Sequence, residues 1–424
     1  MRALLLLFFV GLTAVTAEAG WLEDIFGSES SEEMPPPRPE PEYYPEPYPD
    51  QYPGPRPPPP QHQPQPYRPQ PRRPEPVRPA PTQVPESTFK GGAHYRGMME
   101  HTLYLGSKLG QPNSDCPQCA STSAGFEGTD PSPECRKTYN DFFKIKPRKS
   151  QETQADTEID VRISLGYMDD QLLGNDLVDD YYAAPLIRDQ LTSPCRNPGV
   201  SACGFEQELD DASVFRKRME FIGPDGNKRF RYIRVRIFRS SASPSDKSNN
   251  SEARAQEQAE VTESAREFFA DSLKHSDMVL YIGHARDGGG PDFAPPKLKK
   301  KPPTTDLNWY RKNHPGTNLM YGALRETSTP PKMIGIFACY AKDHFYQGLR
   351  QVAPRSGLVL SGNNEFFSSV GQAVAMLDSV LGRRCEKEFN AALEIPKGIK
   401  LFKDSSEVSV GPLKVDGVFA PSPR

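Results

Sequence analysis

Two short apolar stretches in the last third of the chain limit the fold most: Met278–His284 (MVLYIGH) and Met333–Cys339 (MIGIFAC). Each stays apolar without alternation and stops at a reactive side chain. Continuous runs of this length suit strands buried on both faces of a parallel sheet. In open α/β sheets, sites form beyond the carboxyl ends of the strands. Two such strands side by side would present His284 and Cys339 at one edge. A thiol beside an imidazole is the minimum equipment for nucleophilic catalysis, because the base generates the thiolate.

The surrounding sequence supplies the other parts of such a sheet. Asp160–Tyr167 alternates, with Val161, Ile163, Leu165 and Tyr167 on one face, and reads as a half-buried strand. Val214–Phe238 predicts a hairpin around Pro224–Asn227, with Ile233, Val235 and Ile237 opposite Arg234 and Arg236. A helix is predicted over Ser251–Lys274, carrying Val261, Ala265, Phe268, Phe269 and Leu273 at helical spacing. After His284 a long loop leads to the second reactive strand. A helix from about Ala341, a strand over 357–361 and a helix after Asn364 follow. This alternation predicts a doubly wound, mostly parallel α/β sheet with right-handed crossovers.

The start of the chain has another character. Met1-Arg2, the apolar Leu4–Val15 and the small residues near Ala17 and Ala19 read as a signal peptide over 1–19. That segment is too short to span a bilayer, and no other run approaches the needed length, so no membrane span is expected in the mature chain. Residues 20–86 read as a disordered linker, because half of the 46 prolines fall there and aliphatic side chains are nearly absent. That segment is a spacer or a contact for a cell-wall or surface partner. Secretion or export to a periplasm is the expected destination.

Export changes how the seven cysteines are read, since an oxidising compartment favours pairing. Setting Cys339 aside leaves six. Cys195 and Cys203 are close enough to close a small loop, and Cys116, Cys119, Cys135 and Cys385 would pair in some order. Cys116-Pro-Gln-Cys119 also fits a zinc or redox pair, but its spacing matches no standard finger. No metal and no cofactor are expected. The net charge of −3 gives no reason to expect a nucleic-acid partner.

The two strand ends resemble the caspase, legumain, gingipain and clostripain group of cysteine peptidases. That group shares an apolar block ending in His-Gly and a later one ending in Ala-Cys. Here the second block ends in Ala338-Cys339, while Ala285 follows His284 where the group has glycine. The resemblance spans roughly residues 229–385. It implies a caspase-like domain over 214–396, following a loop-rich, cysteine-containing region over 87–213 and preceding a tail over 397–424. It further implies peptide-bond cleavage by a Cys339/His284 dyad, with the backbone N–H groups of Ala285 and Cys339 holding the oxyanion. If the oxyanion site needed positive φ at Ala285, alanine there would be strained.

The resemblance also implies an acidic group selecting a basic residue before the cut, for which Asp287 or Glu365 would serve. Asp287, Gly288 and Gly289 would form one wall of the cleft, and Asn363, Asn364 and Glu365 another. The expected partner is a peptide or protein substrate. The alternative is an inactive exported protein that uses the same fold as a binding scaffold. Asp169-Asp170 reads as a solvated strand end. His344, Asp343 and His314 read as surface residues, and the basic run Lys297–Lys301 as a solvated loop or self-processing site.

Overall fold

The structure, a computed structural model, describes residues 133–145, 157–169, 178–195, 200–222, 226–300, 304–362, 366–394 and 413–419. All of these fall in one unit, Arg78–Arg424. The signal peptide, the proline-rich linker, Cys116, Cys119, Asp170, Asn363, Asn364 and Glu365 lie outside the described residues.

Among the described residues, eight strands form one mixed sheet in the order β2-β3-β4-β1-β5-β6-β7-β8. They are β1 (Glu158–Leu165), β2 (Glu206–Gln207), β3 (Val214–Ile222), β4 (Lys228–Arg239), β5 (Met278–Ile282), β6 (Met333–Phe337), β7 (Gly357–Leu360) and β8 (Lys414–Asp416). The central five, β4-β1-β5-β6-β7, are parallel, and the two edges are antiparallel. The sheet therefore draws β1 and β2 from the region before residue 214.

The helices are α1 (Pro133–Phe142), α2 (Asp179–Thr192), α3 (Asp246–Asn249), α4 (Ala255–His275), α5 (Leu307–Asn313), α6 (Pro315–Arg325), α7 (Ala341–Val352), α8 (Phe366–Leu381) and α9 (Glu386–Leu393). Side chains of α1, α2, α8 and α9 join one core against the sheet, and those of α4, α6 and α7 join a second core on its other face. The reactive strands serve both cores. In β5, Met278, Leu280 and Ile282 enter the first, and Val279 and Tyr281 the second. Each buried aliphatic or aromatic side chain contributes about 1.5–3 kcal/mol. That double demand explains why the runs do not alternate.

Two sequence expectations change here. The strand read as half-buried, β1, is buried from Val161 to Leu165. Its polar face is covered, with Arg162 pairing to Asp160 and Asp271 and its guanidinium lying 5.8 Å from the Phe268 ring centroid. The long loop after His284 contains α5 and α6. Their start signals are ordinary: the Asp306 side chain accepts the Trp309 N–H at 3.1 Å, and Pro315 occupies the first turn of α6. The tail, read as short strand or coil, contributes the short strand β8, antiparallel to β7.

Among the described residues two disulfides close the structure, Cys195–Cys203 and Cys135–Cys385. Among the described residues no helix is long and apolar enough to cross a membrane. The chain leaves β1 toward β4 and then crosses to β5 on β1's other side. Crevices open beyond the carboxyl ends of strands at such a reversal, here between the ends of β1 and β5.

Candidate active site

The register of β5 and β6 places the two reactive residues. Ile282 pairs with Phe337, and the Gly283 N–H still donates to the Phe337 carbonyl at 3.2 Å. His284 and Cys339 each follow two residues beyond that pair, so they stand level on adjacent parallel strands. The Cys339 thiol is exposed and outside any disulfide. As expected, a helix starts at Ala341; Tyr340 caps it with φ 54°. The Ser361 hydroxyl accepts the Ala338 N–H at 2.8 Å, and the Gly362 carbonyl accepts the Tyr340 N–H at 2.6 Å. The first two residues after β7 thus grip the backbone on both sides of Cys339.

On the histidine side the loop folds back on itself. Ala285 O accepts N–H groups from Gly288 at 3.1 Å and Gly290 at 2.8 Å. The buried Tyr281 hydroxyl lies 3.0 Å from His284 O and accepts the Asp292 N–H at 2.8 Å. The corner between α5 and α6 clamps this loop: Gly316 N–H donates to Gly289 O at 2.9 Å, and the Thr317 hydroxyl lies within 2.8 Å of the Gly288 and Gly290 carbonyls. A Cβ on Gly316 would sit 1.8 Å from Pro291 O, so only glycine permits this approach. Ala285 itself is helical, with φ −80° and ψ −17°. The left-handed residues come later, Arg286 at 44° and Asp287 at 55°, so alanine after the histidine carries no strain.

Asp169 overturns its reading as a solvated strand end. Its side chain is 3% exposed, and its Oδ1 accepts the Arg286 guanidinium at 2.8 Å and faces His284 Nε2 at 3.6 Å. Arg286 is equally buried; its Nε donates to Asp292 Oδ2 at 2.8 Å, which also accepts the Tyr310 hydroxyl at 2.9 Å. Charges thus alternate along Asp169, Arg286 and Asp292, as buried charges must if they are to remain ionised. Burial opposes ionisation of Asp169, yet its contacts with His284 and Arg286 prevail and hold its carboxyl below the ordinary range. Burial, and then the Arg286 guanidinium, push the His284 imidazole below its ordinary value against the pull of Asp169 and Asp292. His284 is therefore neutral at neutral pH. Its Nε2 is buried without a hydrogen bond, while the side chain as a whole is 27% exposed, so its accessible part lies away from Nε2.

The remaining candidates take other places. Asp287 is engaged by the protein: one carboxylate oxygen accepts the Arg311 guanidinium and the other faces His344 Nε2 at 3.8 Å. His344 is accordingly a half-buried rim residue and not a free surface histidine. The Cβ direction of Gly288 meets the His344 ring at 3.2 Å, and that of Gly289 meets Tyr310 O at 2.6 Å, so both glycines pack against the protein itself. His314 and Asp343 are exposed, as are Lys297, Lys299 and Lys300 beside the Leu298–Thr305 bridge, while Lys301 lies outside the described residues. Sequence reading missed Asp169, Arg286, Asp292 and Tyr310. The signal lay in topology, since only the pairing of β1 with β5 brings Asp169 to His284.

The sequence matches no family model, and comparison with curated proteins and with solved structures returned no match.

Proposed function

We propose that the chain is an exported cysteine endopeptidase of caspase-like fold, with Cys339 as nucleophile and His284 as base. The observation that carries this reading is the β5–β6 register, which sets an exposed thiol level with a neutral imidazole whose Nε2 faces a buried carboxylate. Cys339 precedes the N-terminus of α7, whose dipole favours the thiolate. His284 takes the thiol proton and returns it to the leaving amine, and Asp169 positions the ring. The sulfur attacks the scissile carbonyl, the amine leaves, and water then attacks the thioester to release the acid and regenerate the thiol. The backbone N–H groups of Ala285 and Cys339 are the proposed oxyanion donors. The apolar leader and two disulfides support an extracytoplasmic location.

A biotinylated peptidyl acyloxymethyl ketone tests this. Labelling of Cys339 is expected, falling roughly 100-fold or more in His284→Ala. If iodoacetamide alkylates Cys339 equally in both proteins and no peptidyl probe reacts, the exported scaffold replaces the peptidase.

A further inference from the structure

Tyr340 follows the proposed nucleophile directly, and its side chain is unusual for that place. It is 48% exposed although Ala338 and Ala341 on either side of the turn are fully buried. Its hydroxyl meets no partner among the described residues. Its backbone is left-handed at φ 54°, a conformation unfavourable to a non-glycine residue that persists where the surroundings impose it. Here the Gly362 carbonyl imposes it by accepting the Tyr340 N–H. The backbone is thus held one residue after Cys339, and the side chain it carries is exposed to water.

The acid of this rim expected to choose a basic side chain is already matched, while Asp343 in the first turn of α7 is exposed. Asp287, the acid placed to choose a basic side chain, is held by Arg311 and faced by His344. A substrate lysine or arginine would exchange one ion pair for another, with little net gain. Meanwhile α5, whose Tyr310 and Arg311 meet the loop after His284, exposes Leu307 and Trp309. Among the described residues, the large exposed side chain adjoining Cys339 in the chain is the aromatic Tyr340.

Resting on the peptidase reading above, we propose that Tyr340 is a specificity-determining residue. Its ring is the platform for a large apolar side chain, aromatic by preference, next to the scissile bond. Aromatic pairs are worth about 0.5–1.5 kcal/mol beyond the area they bury, which corresponds to roughly a three- to tenfold preference.

The test uses acyloxymethyl ketone probes identical except for Phe, Arg, Asp or Ala beside the reactive group, on the mature protein, Tyr340→Ala and Tyr340→Phe. Fastest labelling of Cys339 by the Phe probe is expected. That lead falls roughly three- to tenfold in Tyr340→Ala through weaker half-saturation with the maximal rate kept, and Tyr340→Phe retains it. A faster Arg or Asp probe, or a Phe preference untouched by Tyr340→Ala, overturns the inference and leaves the peptidase standing. Alkylation by iodoacetamide with no labelling by any peptidyl probe overturns both.

Discussion

Asp169 and Arg286 act on His284 with opposite signs, and the difference can be measured. Asp169 favours the protonated ring, and Arg286 disfavours it. In the proposed mechanism the neutral imidazole is the base, so labelling slows as pH falls through the His284 pKa. Removing the guanidinium in Arg286→Gln raises that pKa and moves the acid limb of the rate profile to higher pH. Asp169→Asn moves it to lower pH and also slows the plateau, because the ring loses its positioning partner. Limbs that move in the same direction would contradict this account. Local sequence could not announce Asp169: it ends an alternating strand next to another acid, and the arginine that ionises it lies 117 residues away. The two reactive residues were legible because a run buried on both faces has to end somewhere, and each run ends at a group that packing does not want.

At the scale of elements, the junction of β1, α2 and β4 rests on one carboxylate. Asp180 is fully buried and accepts N–H groups of Met168 at 3.2 Å, Ser240 at 3.1 Å and Ser241 at 2.8 Å, together with the Ser241 hydroxyl. Burial nevertheless pushes its carboxyl up to about 6, from an ordinary 3.8. The folded state then holds a proton that the unfolded chain has released. Stability therefore falls as pH rises between those values, by about 3 kcal/mol from this group, and is level above them. Denaturant titrations across that window should show the slope in the native protein and a flatter profile in Asp180→Asn; equal slopes would remove Asp180 as the cause. Elements were unevenly legible. The strands β5 and β6 and the helices α4 and α7 follow from apolar spacing, whereas α5 and α6 needed attention to Asp306 and Pro315. Arg231, which alternation places on the core side of β4, is satisfied by the Phe143 and Lys144 carbonyls after α1 at 2.7 and 2.9 Å, partners no local pattern foretells.

Across the whole molecule, the Cys135–Cys385 bond joins α1 to the cap of α9 over 250 residues. Cross-linking so large a loop restricts the unfolded chain, an effect worth about 5 kcal/mol. The double variant Cys135→Ala, Cys385→Ala should lose stability of that order in equilibrium unfolding, while the eight-residue Cys195–Cys203 loop should matter less. The Cys195–Cys203 bond was expected from its short loop, but how Cys116, Cys119, Cys135 and Cys385 pair was open in the sequence, because connectivity is set by where the chain ends meet. The long bond also spans the exposed stretch Lys297–Lys300. A protease nick there would leave Asp169 and His284 on one fragment and Cys339 on the other, still tied by that sulfur bridge. Electrophoresis of nicked material would give a single band at the intact mass, parting into two only after dithiothreitol.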